Sequence, residues 1–128
     1  MHDYFYGTEA DQFTFIRIPW VFFTEDKFIK LTSDAKILYS ILLRRMELSS
    51  KNGWFDPDGR VYIIFTVEEI QALMGCGNKK AISLLNELEK DADLIERKRQ
   101  GLGRPNLIYV KNFAENNHEN TLKSDEHS

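Results

Sequence analysis

The densest chemistry in the sequence lies in RKRQGLGR, residues 97–104, where Arg97, Lys98, Arg99 and Arg104 fall within eight residues that contain no acid. Cations crowded beside glycines repel one another, and a polyanion is the simplest partner that relieves the repulsion. Arginine's planar fork suits phosphate oxygens or a narrow minor groove, and Gln100 adds an amide between them. A second polar set, Asn78, Lys79, Lys80 and Ser83, stands upstream. Lysines suit phosphates or guanine edges, whereas asparagine and serine can bond to bases or to phosphate. For Lys79 and Lys80 alone, a solvated helix face is an equally good account. Strand alternation puts Arg97 and Arg99 on one side and Lys98 on the other, so the three do not all serve one ligand.

No comparable set supports catalysis. His2, His118 and His127 lie towards the two ends without the spacing of a metal site. Cys76 has no histidine nearby in sequence to activate it and reads as a structural thiol in a turn. Gly101-x-Gly103 lacks the third glycine of a dinucleotide loop. Asp56 and Asp58 read as turn residues, and Glu68 and Glu69 as the first turn of a helix. The expectation is no catalytic residue, no metal and no cofactor.

The elements that must position the two polar sets follow from periodicity. Ala81, Leu84, Leu85 and Leu88 fall on one helical stripe, leaving Lys79, Ser83, Asn86 and Lys90 on the opposite side. Asn78 is the expected N-cap. Upstream, Thr66 and Glu69 make a T-x-x-E capping box for a helix over 66–74, which Gly75 can end in a left-handed conformation. Two short helices joined by about three turn residues satisfy helix-turn-helix spacing. Downstream, LIERKRQ and LIYV flank the glycines as two strands, the plan of a wing. The N-terminal end of the second helix reaches the major groove first in such an arrangement.

The remaining chain supplies the core. A helix starting at Thr32 or Ser33 carries Ala35, Leu38, Tyr39, Leu42 and Met46 on its stripe, widened by Ile37 and Ile41. Residues 49–59, rich in turn formers, read as a loop, and 60–65, RVYIIF, as a strand. FTFIRI, residues 13–18, reads as a strand closed by Pro19. The aromatic run from Trp20 to Phe28 suits core packing or a subunit interface, and stacking on nucleic acid is a less frequent use. The fold class is therefore α+β: a winged helix-turn-helix over 32–113, an N-terminal strand and aromatic extension over 1–31, and a polar flexible tail or linker over 114–128.

Composition is consistent with one such unit. Hydrophobic residues make up 42% of 128, enough for a core, and no apolar run approaches a membrane span. The first residues carry no secretory signal pattern, and a single cysteine excludes an internal disulfide, so a cytoplasmic location is expected. The net charge of −3 is unevenly distributed: residues 77–111 hold 8 basic and 5 acidic side chains, the reverse of the flanking segments. Screening limits each charge to roughly 10 Å, so local sign outweighs the total.

With these residues in view, FIRIPWVFF, LTSDAKILYSILLRRMELS, NGWFDPDGRVYIIFT, EEIQALMGCGNKKA and LLNELEKDADLIERKRQGLGRPNLIYVKNF resemble the N-terminal domain of RepA-type replication initiators of Gram-positive, especially staphylococcal, plasmids. The resemblance spans residues 13–113. It implies a homodimer bound to repeated origin sites (iterons) in double-stranded DNA, and pairing of such dimers. It also implies a further C-terminal domain, absent from this chain, that recruits host replication proteins. One departure is Ala92-Asp93, where the family pattern usually carries glycine. A winged-helix repressor would use the same surface, and a protein–protein module with an acidic partner is the reading from another class.

Overall fold

The structure, a computed structural model, describes residues 1–114. The expectation for the tail lies almost wholly outside that range. After a 3-10 turn, Glu9–Gln12, the element order is α1 (Val21–Thr24), α2 (Asp26–Ile29), α3 (Ser33–Lys51), β1 (Ile63–Ile64), α4 (Val67–Met74), α5 (Asn78–Asn86), β2 (Ile95–Lys98) and β3 (Leu107–Val110). A π turn, Glu87–Asp91, extends α5.

The longest helix, α3, is set by its cap and its apolar stripe. Thr32 Oγ1 accepts from the Ala35 N–H at 3.1 Å, satisfying one orphan amide of the first turn. Ala35, Leu38 and Leu42 are fully buried, and Tyr39 almost so. The Tyr39 hydroxyl donates to the Lys111 carbonyl at 2.8 Å, tying α3 to the chain just after β3, and burial pushes its pKa up to about 12. This helix runs through Lys51, so the loop expected from residue 49 starts later.

Antiparallel pairing gives a sheet ordered β1-β3-β2. Arg97 pairs with Ile108 and Glu96 with Tyr109, so alternation turns Ile95, Arg97 and Ile108 towards the helices. The strand expected over 60–65 contributes only Ile63–Ile64 to the ladder. Residues 54–62 instead fold on themselves: the Tyr62 N–H donates to the Trp54 carbonyl at 3.2 Å, and Phe55 bridges Val61. Asp56 organises that loop. Its carboxylate accepts from the Arg60 N–H and guanidinium, both at 2.8 Å, and from the Tyr109 hydroxyl at 3.0 Å.

FTFIRI forms no strand, which corrects the expectation for 13–18. Its β propensity goes unrewarded because it pairs with neither β1 nor β2, the edge strands of the sheet. Phe13, Phe15 and Ile16 remain exposed, with Phe13 edge-on to Phe5 and Phe15 at ring separations of 6.0 and 6.2 Å. The aromatic run that follows is divided. Phe22 and Phe28 enter the core with Tyr39 and Phe113, at centroid distances of 5.1 to 5.8 Å, whereas Trp20 is 75% exposed. Core and surface thus share a segment that composition alone left undivided.

Asp93, one of the two residues at which the sequence departs from the glycine of the resembled pattern, stands in the left-handed region at φ 55°. Aspartate tolerates that conformation better than most L-residues, and its carboxylate accepts from Lys111 Nζ at 2.7 Å. Asp93→Ala should destabilise the fold by about 1 kcal/mol, since alanine keeps the Cβ penalty without the polar compensation. Asp93→Gly should stay close to the parent, because relief of strain offsets the added freedom of the unfolded chain. Urea denaturation of both variants checks the order.

Stability should also depend on Asp56 at low pH. Burial of the carboxyl opposes ionisation, but the Arg60 backbone and guanidinium donors and the Tyr109 hydroxyl outweigh it and hold the pKa at about 2. An unfolded aspartate titrates near ~4, so the folded form is favoured above that pH and the advantage disappears as pH falls through 2. Urea midpoints measured from pH 5 to 2 should fall more gently in Asp56→Asn than in the parent chain.

Candidate nucleic-acid interface

The helix pair is built as its residues dictate. Thr66 Oγ1 accepts from the Glu69 N–H at 3.1 Å while Glu69 Oε1 accepts from the Thr66 N–H at 3.0 Å, completing the capping box. Gly75 ends α4 at φ 65°, ψ 43°, a left-handed cap that a side chain would strain. Asn78 is the first helical residue of α5 rather than its cap. Gly77 holds the cap position, so the first-turn amides of α5 have no side-chain acceptor there. Ala81, Leu84, Leu85 and Leu88 are all buried, as their spacing requires.

That packing sorts the polar residues of α5. Asn78, Lys79 and Ser83 are exposed, with Lys79 and Ser83 one turn apart. Lys80 turns aside: its Nζ lies 3.0 Å from Asp34 Oδ2 in the first turn of α3. Asn86 is half-buried and faces the wing, where its Oδ1 accepts from the Arg97 guanidinium at 2.6 Å.

Arg97 is held on both its backbone and its side chain. Its Nε donates to Glu89 Oε1 at 2.6 Å, and its backbone N–H donates to Glu89 Oε2 at 3.2 Å. Both side chains keep only about a quarter or less of their exposure, 20% and 26%. Desolvation works against the Glu89 charge, but the donors from Arg97 outweigh it and hold the carboxyl below its ordinary pKa. The four cations of the wing are therefore not all uncompensated, because an acid from another element neutralises one of them. Lys98, Arg99 and Arg104 are exposed, and with Lys79 they have no acidic partner within 4.0 Å among the described residues. Gln100 closes the wing loop, its Nε2 donating to the Pro105 carbonyl at 2.8 Å.

A groove of about 360 Å³ joins the two sets, lined by Thr66, Glu68, Asn78, Arg97, Arg104 and Asn106 among others. The start of α5 and the base of the wing thus flank one concavity.

Residues 14–124 match the family described as replication initiator protein A (RepA) N-terminus. The chain belongs to that family. The "41 kDa protein" of Lactobacillus helveticus is 28% identical over 100 residues, which cover 78% of this chain and 28% of that protein. This RepA N-terminus therefore spans less than a third of that relative's length. A solved chain described as "Structure of Rep-DNA complex" superposes with a TM-score of 0.72 at 33% identity, covering 98% of this chain and 96% of the other. Another, "Structure of MDR initiator", reaches 0.70 at 35% identity, covering 98% and 99%. With these neighbours, the helix pair and basic hairpin of this RepA N-terminus form a winged helix-turn-helix.

Sequence reasoning missed Glu89, Asn86 and Asp34 as partners of the basic residues. Only charge complementarity hinted at them, since their pairings cross from one element to another. Removing the Glu89 carboxylate leaves a half-buried guanidinium without its main acceptor. Glu89→Ala should cost about 1–3 kcal/mol of stability, and Glu89→Gln less, because the amide oxygen keeps one acceptor for Arg97. Thermal unfolding of the two variants checks the ranking.

Proposed function

We propose that this chain is the DNA-binding part of a plasmid replication initiator and that it binds repeated origin sites in double-stranded DNA as a homodimer. The observation that carries the reading is the groove shared by the start of α5 and the base of the wing. On this reading Asn78, Lys79 and Ser83 enter a major groove, with Lys98, Arg99 and Arg104 on the adjoining backbone. Arg97 and Lys80 hold elements together, and Gln100 shapes the wing loop. Membership of the RepA family and likeness to a chain from a Rep–DNA complex support this assignment.

The dimer contact is assigned to the N-terminal arm before Pro19, where Tyr4, Phe5, Tyr6, Phe13 and Phe15 are exposed. Contiguous exposed apolar side chains of this kind mark association surfaces. Host replication proteins are partners of a further C-terminal region, in keeping with the greater length of the Lactobacillus helveticus relative. The work is binding rather than catalysis, carried out in the cytoplasm where plasmid DNA lies.

Fluorescence anisotropy against a duplex bearing the origin repeat and against a scrambled duplex, at several salt concentrations, tests the assignment. The repeat should bind more tightly. Lys79→Ala, Arg99→Ala and Arg104→Ala should each flatten the salt dependence by about one unit of slope. Equal affinity for scrambled duplex overturns the initiator reading, and no binding at low salt leaves a protein–protein module in front. Sedimentation of a chain lacking residues 1–17, which keeps Phe22 and Phe28, should give a folded monomer. A persistent dimer moves the contact elsewhere.

A further inference from the structure

At the wing tip an apolar side chain stands where only cations and glycines would be expected. Leu102 is 98% exposed and lies between Gly101 at φ 119° and Gly103 at φ 78°. Both glycines occupy conformations that favour the absence of a Cβ, so the backbone is shaped to present this one residue. The loop is closed beneath it by the Arg104 N–H on the Gly101 carbonyl at 3.3 Å and by Gln100 Nε2 on the Pro105 carbonyl at 2.8 Å. Single exposed leucines are ordinary on protein surfaces. This one differs in being carried on a narrow, internally bonded tip between Arg99 and Arg104, both exposed.

We propose that Leu102 is an apolar wedge that enters the minor groove of the bound duplex while Arg99 and Arg104 straddle it on the two phosphate walls. The inference rests on the DNA reading above and deepens it. A minor groove about 6 Å wide excludes a helix but admits a loop one side chain across, flanked by glycines. Its sugar walls are apolar, and inserted leucines elsewhere unstack base steps and bend the duplex. The guanine amino group projects from the groove floor, so an isobutyl group fits best over A·T pairs. The wing therefore contributes sequence preference as well as charge.

The test uses the full 128-residue chain and a duplex that it selects from a randomised pool. Because Leu102 packs against nothing in the core, Leu102→Ala should leave the unfolding midpoint unchanged. Its affinity for the selected duplex should drop by about five- to thirtyfold, the loss expected for uncovering most of a leucine, with an unchanged salt slope. Replacing adenines beneath the wing by 2,6-diaminopurine adds an amino group to the groove floor. That change should weaken the wild type and leave Leu102→Ala nearly unaffected. Equal affinities of wild type and Leu102→Ala, or equal sensitivity of both to diaminopurine, would overturn the wedge while the DNA reading stands. A wild-type chain that selects no duplex would overturn the DNA reading and the wedge together.

Discussion

The position of the wing depends on one carboxylate. Glu89 takes both the side-chain Nε and the backbone N–H of Arg97, and so fixes β2 against the end of α5. A backbone contact matters here as much as the ion pair. A guanidinium alone could swing on its flexible stem, but an amide held at 3.2 Å fixes the path of the strand. Two residues earlier, Glu87 accepts from the Thr32 N–H at 2.8 Å and from its hydroxyl at 2.9 Å. This second carboxylate sits at the positive end of α3, where the first-turn amides and the helix dipole favour it. The π turn that carries both acids, marked by the Ala92 N–H on the Glu87 carbonyl, is thus the joint of the molecule. α3, α5 and β2 meet there, and π turns are often found where a helix has to present side chains out of register.

That joint changes how the positive charge should be counted. The excess of cations over 77–111 includes Arg97 and Lys80, whose charges are answered by Glu89 and Asp34. The exposed pair, Lys80 with Asp34, contributes little to stability because both partners are half-solvated. Its effect is directional, since it turns one of two adjacent lysines towards α3 and leaves Lys79 outward. On the proposed reading, Lys79, Lys98, Arg99 and Arg104 are the cations available to phosphate. Their number matters more than the net charge of the chain, because binding releases counterions in proportion to phosphates neutralised.

What the sequence disclosed depended on range. Stripes and caps are written within a few residues, and Leu84, Leu85 and Leu88, Thr66 with Glu69, and Gly75 all behave as their spacing requires. The resemblance to RepA N-termini added what spacing could not, since it joined separate pieces into one family. FTFIRI failed for a physical reason: strand propensity is realised only by pairing, and this segment pairs with neither β1 nor β2, the two edge strands of the sheet. Asp56 looked like a turn residue and is one, but its bond to Tyr109 across a long stretch of chain was invisible. The same holds for Glu87 with Thr32 and Glu89 with Arg97. Polar pairings between elements carry no periodic signal.

These long-range polar bonds also explain how an acidic chain can carry a basic surface. An acid near a polyanion site would normally repel the ligand, and Glu87, Glu89 and Asp34 all lie close to the helix pair in sequence or space. Each is turned to an internal donor: Glu87 to a helix N-terminus, Glu89 to a guanidinium and a backbone amide, Asp34 to Lys80. Their charge is absorbed where it orients the scaffold. Asp56 is likewise paired with Arg60, on the loop that packs beside Tyr109. These acids thus fix geometry, while Lys79, Lys98, Arg99 and Arg104 are left without an acidic partner among the described residues. A net charge near zero or below then improves selectivity, because the rest of the surface does not hold a polyanion indiscriminately.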